Sequence, residues 1–322
     1  MKNPFGSDDR SAGLVRIAGF VGVVALAGVA AFGIGRAVGP IHNNSSHDSH
    51  SSASTDADMT EGSDMQPGGL AATQDGYTLQ LDDRITASSA EAPIRFRIVD
   101  TAGAPVTDYQ TEHDKELHLI VVRRDLSGYQ HLHPVRDAAG TWTTTADLSR
   151  AGDYKVFADF APTGAAGITL GTDLAVGGDY QPVPLPAESA TAVVDGYTVQ
   201  MTGTVAAGPG SMVSFKVTQD GTPVTDLQPY LGAYGHLVAL RSTDLAYVHV
   251  HPGGAPGDGH TAPGPDVAFH MTAPSAGTYR LFLDFKHGDR VRTAEFTVNV
   301  ENAPAMPGHQ STSPAPAHHG GH

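Results

Sequence analysis

The sequence contains no cysteine in its 322 residues. This absence excludes disulfide bonds, thiolate zinc sites, iron–sulfur clusters, cysteine nucleophiles and blue copper centres, which need a thiolate beside two imidazoles. Any bound metal ion must therefore use histidine, carboxylate or methionine ligands. Because the 17 histidines nearly equal the 19 lysines and arginines, histidine is the residue type on which such a site would depend.

Basic residues are scarce: 19 lysines and arginines stand against 34 acidic residues, for a net charge of -15. A field of this sign repels nucleic-acid phosphates and attracts cations, so we expect no nucleic-acid partner. The charged fraction is only 16%, and 38 glycines and 22 prolines favour turns over long helices. This composition argues against a helical bundle or coiled coil.

Enzyme signatures are also missing. The sequence has no Gly-x-Ser-x-Gly nucleophile turn, no His-Glu-x-x-His helix and no glycine-rich phosphate loop. We therefore expect a binding protein and not an enzyme.

One apolar run stands out near the N-terminus. No charged residue occurs from Ile17 to Ile34, a length close to the roughly 20 residues that cross a bilayer. Basic residues precede the run, which places the N-terminus in the cytoplasm by the positive-inside rule. We predict a single-pass membrane anchor over 14–38 with the remaining chain extracytoplasmic. A cleaved signal peptide, which would leave a secreted protein, is the alternative.

The chain contains one domain twice. Asp75-Gly76-Tyr77-Thr78 recurs as Asp195-Gly196-Tyr197-Thr198, and Pro105-Val106-Thr107-Asp108 recurs as Pro223-Val224-Thr225-Asp226. Each copy spans roughly a hundred residues, a common domain size. The predicted segments are a cytoplasmic N-terminus (1–13), the anchor (14–38), a disordered His/Ser-rich spacer (39–73), domain 1 (74–180), a Pro-rich linker (181–193), domain 2 (194–300) and a disordered His-rich tail (301–322).

Each copy consists of short runs rich in β-branched and aromatic residues, separated by turn signals. About seven such runs per copy, with no alternation of strands and helices, are typical of an antiparallel immunoglobulin-like β-sandwich. We therefore predict an all-β fold of two tandem sandwiches. The single tryptophan and the missing cysteine pair argue against a true antibody-type domain.

A His-x-His-Pro motif occurs once in each copy, at His131-Leu132-His133-Pro134 and at His249-Val250-His251-Pro252. Residues two apart on a strand share a face, with Cα atoms roughly 6.5 Å apart, so both imidazoles could bind one ion. Proline ends a strand, which places the pair near the rim of the sheet. The alternative is a pair of rim histidines beside a turn, and duplication would copy either kind of motif.

A third histidine precedes each motif by thirteen residues: His118 before His131, and His236 before His249. A hairpin would bring it near the pair, giving a three-histidine zinc or copper site. Both could equally be core histidines. Asp159 and Asp284 are candidate carboxylate ligands, with a structural hydrogen bond as the alternative. His113 is a poor shared ligand, because the second copy has Leu231 there.

The segments His118 to Pro134, Gly152 to Phe160 and Tyr230 to Pro252 resemble exported actinobacterial heavy-metal-binding-type proteins with YtkA-like sandwich domains. The resemblance covers roughly residues 74 to 300 and implies a sandwich fold, export and a copper-handling role for the six histidines of the two motifs and their preceding positions.

These features together predict a membrane-anchored extracytoplasmic protein that binds a transition-metal ion, copper in the first place and zinc as the alternative, for resistance or delivery. Two other functions stay open. One is an extracellular protein-binding or adhesion module whose histidines are structural. The other is a copper-dependent enzyme, because His-x-His on a sandwich strand is similar to the copper ligands of Cu/Zn superoxide dismutase.

Overall fold

A computed structural model describes residues 67–208, 210–248 and 250–303. The predicted anchor, most of the spacer, most of the C-terminal tail and His249 lie outside these residues. The described chain consists of strands and turns without a helix. Among these residues there is consequently no helical segment of the length and apolarity that a membrane span requires.

Eleven strands form the first copy. They are β1 (Thr73–Gln74), β2 (Tyr77–Leu81), β3 (Ile85–Ala87), β4 (Ser89–Val99), β5 (Tyr109–Gln110), β6 (Leu117–Arg123), β7 (Gln130–Leu132), β8 (Val135–Arg136), β9 (Thr141–Leu148), β10 (Gly152–Pro162) and β11 (Ile168–Gly177).

The second copy has eleven described strands as well. They are β12 (Thr191–Val194), β13 (Tyr197–Thr202), β14 (Ala206–Ala207), β15 (Ser211–Gln219), β16 (Thr222–Pro223), β17 (His236–Arg241), β18 (Tyr247–Val248), β19 (Val250–Pro252), β20 (Asp266–Met271), β21 (Gly277–His287) and β22 (Arg290–Asn302).

Each copy folds into two sheets of the same topology. In the first copy the strand orders are β1-β2-β4-β9-β8 and β3-β11-β10-β6-β7, and in the second copy they are β12-β13-β15-β20-β19 and β14-β22-β21-β17-β18. The long pairings are antiparallel, whereas β3 with β11 and β14 with β22 are parallel. The predicted all-β fold of two tandem immunoglobulin-like sandwiches is therefore confirmed.

One sheet of each copy, called here the outer sheet, consists of β1-β2-β4-β9-β8 in the first copy and of β12-β13-β15-β20-β19 in the second. Alternation of apolar and polar residues along its strands explains why only one face of this sheet is buried. In β15, Val213, Phe215 and Val217 are buried while the intervening side chains are more exposed. One face of this sheet packs on the core of its own sandwich and the other faces water, as in many antiparallel sheets. Each copy has such a core, built around Phe96 and Trp142 in the first and around Phe215 and Phe269 in the second.

The other sheet of each copy is buried on both faces. All seven residues of β6 are buried, and so is most of β17 and β21. The reason is a third apolar cluster, the interdomain cluster, to which each copy contributes five side chains at matching positions. They are Ile120, Val122, Leu126, Tyr129 and Phe157 from the first copy and Val238, Leu240, Leu245, Tyr247 and Phe282 from the second.

The two copies contact each other through matching surfaces, so the interface is self-complementary, as in a two-fold symmetric dimer. The stretch before β1 also joins it. Gly68 exchanges two backbone hydrogen bonds with Tyr247, and Gly69 donates to the carbonyl of Thr169. Residues 67–73, part of the predicted spacer, are thus hydrogen bonded to both sandwiches.

Candidate metal centre at the domain interface

Three histidines from both copies meet beside the interdomain cluster. His118 lies on β6, His131 on β7 and His236 on β17, and one ligand nitrogen from each lies within 4.8 Å of the others. His118 and His236, which occupy matching positions in the two copies, stack with ring centroids 5.4 Å apart. The site therefore lies where the two copies meet and is not contained in either.

Strand pairing fixes these positions. β6 pairs with β7 so that Ile120 faces His131, and β17 pairs with β21 so that His236 faces Asp284. Proline at 134 follows the short β7, and the chain then crosses to the outer sheet at Val135. This end position leaves the His131 ring directed at the second copy.

Asp284 connects the copies through His131. A carboxylate oxygen of Asp284 accepts a hydrogen bond from Nδ1 of His131 at 2.8 Å, and the two side chains are only 2% and 3% exposed. The other oxygen accepts from Oγ1 of Thr293 at 2.6 Å. Asp159, the matching carboxylate of the first copy, accepts a hydrogen bond from Oγ1 of Thr169 at 2.7 Å.

The remaining contacts of His118 define its protonation. Nε2 of His118 lies 3.2 Å from the carbonyl oxygen of Glu112, and Nδ1 lies 3.1 Å from Nε2 of His131. Burial, followed by the neighbouring His131, lowers the pKa of His118 to about 4. The ring is therefore neutral near pH 7, and its one proton is on Nε2, because a carbonyl oxygen can only accept.

Two further histidines surround this group. The His133 ring lies 4.8 Å from that of His131, and the His113 ring lies 5.8 Å from that of His236. Burial lowers the pKa of His133 to about 3 and that of His236 well below its usual value. Nε2 of His133 and Nδ1 of His236 are buried without a hydrogen-bond partner among the described residues.

Of the predicted residues, the structure brings together His118, His131, His133, His236 and Asp284. Asp159 faces His118 in the strand register but is not part of the three-histidine group. His251 lies apart: in the second copy the chain joins the outer sheet already at Val250, so His251 pairs with His270 of β20. His249 lies outside the described residues.

This arrangement differs from the expected one, in which each copy assembles three of its own histidines. His113, predicted to be a poor shared ligand because the second copy has Leu231 there, lies beside His236. His113 and Leu231 both have a left-handed backbone, with φ of 49° and 56°, so the turn is the same in both copies and only the side chain differs. A contact across the interface needs no counterpart in the other copy.

No curated protein sequence matches the chain significantly. Among solved structures, the chain is similar to a DUF4426 family protein of Pseudomonas aeruginosa PAO1, with 7% identity over 36% of this chain and 100% of that chain and a TM-score of 0.27. It is also similar to the Escherichia coli adhesin FdeC, with 13% identity over 72% of this chain and 66% of that chain and a TM-score of 0.22.

A further similar structure is invasin, a bacterial integrin-binding protein, with 12% identity, 70% of this chain and 39% of that chain covered, and a TM-score of 0.21. Similarity at this level carries no functional information. The resemblance to YtkA-like heavy-metal-binding proteins finds no support in these matches and stays a prediction.

A family model for a domain of unknown function matches residues 72–176 and 192–302, one match for each copy. The two matches cover well over half of the sequence and agree with the duplication read from its motifs. The chain therefore belongs to the family of the domain of unknown function DUF8832, which it contains twice.

Proposed function

We propose that the protein binds a transition-metal ion, with copper as the first choice, between its two sandwich domains. His118, His131 and His236 are the ligands in this proposal, with His133 as a fourth donor beside them. The role is binding for resistance or delivery, without a chemical reaction. The apolar run from Ile17 to Ile34 supports an extracytoplasmic location at the membrane.

One observation carries the proposal. Nδ1 of His118 and Nε2 of His131 lie 3.1 Å apart. The other nitrogen of each ring already donates a hydrogen bond, from His118 to the carbonyl oxygen of Glu112 and from His131 to the carboxylate of Asp284. If both rings are neutral, the two facing nitrogens both present lone pairs, which repel each other. Only a cation between them, a proton or a metal ion, turns this contact into an attractive one.

The distance also fits a coordinated metal ion. Imidazole nitrogens bind zinc at about 2.0–2.1 Å, so two nitrogens 3.1 Å apart would subtend an angle of roughly 100° at the ion. The partnerless Nδ1 of His236 supplies a third donor. The low pKa values of His118 and His236 keep both rings in the neutral form that metal ions require.

Imidazole ligands suit both copper and zinc. Because the sequence has no thiolate that would favour one ion, we compare the intrinsic affinities of the two ions for a nitrogen site. Divalent copper binds a given nitrogen site more tightly than the other first-row ions. We therefore propose copper, with zinc as the alternative. The hydrogen bond from His131 to Asp284 would orient the ring and raise its basicity, as carboxylates do for many metal-bound histidines.

The test uses the full chain and measures the stability of the sandwiches, because ions held by the histidines of the tails need not affect it. A ligand present at 100 times its Kd should stabilise the fold by about 2.7 kcal/mol. We expect Cu(II), and more weakly Zn(II), to raise the unfolding midpoint of the wild type. The His236→Gln variant should lose this rise, measured against its own metal-free state.

The matched control is His260→Gln, which removes an exposed histidine of the second copy. This variant should keep the full metal-dependent rise. If neither ion raises the unfolding midpoint of the wild type, or if His236→Gln responds like the control, the interdomain metal site is refuted.

The second candidate is an extracellular protein-binding or adhesion module in which the buried histidines are structural. An adhesin and an integrin-binding protein are among the solved structures similar to this chain, although that similarity is confined to the fold. It requires a folded protein that neither needs nor responds to metal ions. The unfolding experiment therefore separates the two candidates.

A further inference from the structure

A row of three side chains crosses the outer sheet of the second copy. In β20, His270 pairs with Met212 of β15 on one side and with His251 of β19 on the other. Residues directly opposite each other on neighbouring antiparallel strands point to the same face, with Cβ atoms about 4.5–5.5 Å apart. Met212, His270 and His251 are thus consecutive neighbours on one surface.

The burial pattern identifies this surface as the solvent face. Along β20 the buried residues Val267, Phe269 and Met271 alternate with more exposed ones, and His270 is exposed. Met212 is 57% exposed and lies beside the buried Val213. All three side chains of the row therefore stand on the outside of the sandwich, away from the interdomain cluster.

The first copy shows that the fold does not need this row. The pair matching Met212 and His270 is Pro93 and Thr145, which face each other in the same register. In that copy His133, the match of His251, lies in the interdomain site. The first copy lacks the row, and an exposed methionine gains little by packing, so the shared fold does not require these residue types.

We propose that Met212, His270 and His251 form a second, exposed metal site that takes a soft ion, monovalent copper. Two imidazoles and one thioether are a donor set of this kind, since thioether sulfur selects Cu(I) over zinc and harder ions. The three residues stand opposite one another on adjacent strands, so their side chains can reach one ion without a change of backbone. The site shares no residue with the interdomain site and does not depend on it.

The test uses the full chain labelled with carbon-13 at the methionine methyl groups and titrated with Ag(I), a redox-stable ion with the same ligand preference as Cu(I). We expect the Met212 methyl resonance to shift and to saturate with the ion. Met201, which is buried in the same copy, should not respond and serves as an internal reference. Titration continues until no resonance changes, so that ions held by the tails do not obscure the result.

Variants assign the donors. His270→Gln should weaken the response of Met212 about a hundredfold, because linking donors in one site typically raises affinity by that order or more. His260→Gln should leave it unchanged. His236→Gln, which tests the interdomain site, should also leave it unchanged, so the two sites can fail separately. A Met212 methyl that stays unmoved at saturation, or that responds equally in His270→Gln, overturns this proposal.

Discussion

His131 of the first sandwich donates a hydrogen bond to Asp284 of the second at 2.8 Å, and both side chains are almost completely buried. The two residues are separated by 153 positions in the sequence. Their contact makes the histidine group a property of the pair of domains, and it gives the two matching aspartates different roles.

Asp284→Asn should weaken metal binding about 10- to 100-fold, the usual effect of removing a carboxylate that orients a metal-bound histidine. Asp159→Asn is the matched control, because Asp159 bonds to Thr169 on its own sheet. The measurement is the Cu(II) concentration that half-saturates the rise in unfolding midpoint. Equal losses in the two variants would contradict the assigned difference.

His131 and His236 should hold the same ion, although they belong to different copies. His131→Gln and His236→Gln should each abolish the metal-dependent rise, and the double variant should lose no more than either one. Such non-additivity is typical of residues that act in one site. If each single variant kept about half of the metal-dependent rise in the unfolding midpoint, the two copies would bind ions separately.

Acid should destabilise the metal-free protein. The pKa of His118 is lowered to about 4 in the folded state, against about 6.5 for a histidine in an unfolded chain. The unfolded state therefore binds more protons between these two pH values. The contribution of His118 to the free energy of unfolding is fully present above pH 6.5 and is lost as the pH falls towards 4. For one buried histidine the slope is at most about 1.4 kcal/mol per pH unit.

Urea unfolding at pH 7 and pH 5, in the presence of a chelator, measures this loss. His118→Gln should reduce the pH dependence without abolishing it, because the pKa values of His133 and His236 are lowered as well, whereas His260→Gln should leave the pH dependence unchanged. A stability that stays constant over this range would show that the histidine group is protonated as readily in the folded as in the unfolded chain.

The interdomain cluster should make the two sandwiches unfold together. Phe282 stacks on Tyr129 of the other copy with ring centroids 4.0 Å apart, and it is fully buried. Phe282→Ala should cost about 3–5 kcal/mol and separate the single calorimetric transition into two. Phe215→Ala, in the core of the second copy, should cost a similar amount but leave the transitions coupled. A single transition in Phe282→Ala would argue against the interface as the source of coupling.

Much of the local structure could be predicted from the sequence. The runs Tyr77–Leu81 and Leu117–Val122 are strands because their residue types and turn signals specify short extended segments. The sequence also contains a signal for the interface. Leu119 to Val122 is a continuous apolar run, and a strand with one face in water would alternate instead.

The sequence by itself determined the absence of thiolate chemistry, the duplication, the sandwich fold of each copy and the residue types from which a metal site can be built. Each of these follows from composition or from patterns within a few residues. Only the tertiary structure decided that His118 and His131 meet His236 and that His251 joins His270 and Met212. These contacts depend on which face of a sheet meets the other copy and on the residue at which a strand changes sheets. Neither is fixed by local sequence, because the two copies of the motif, at 131–134 and 249–252, change sheets at different positions.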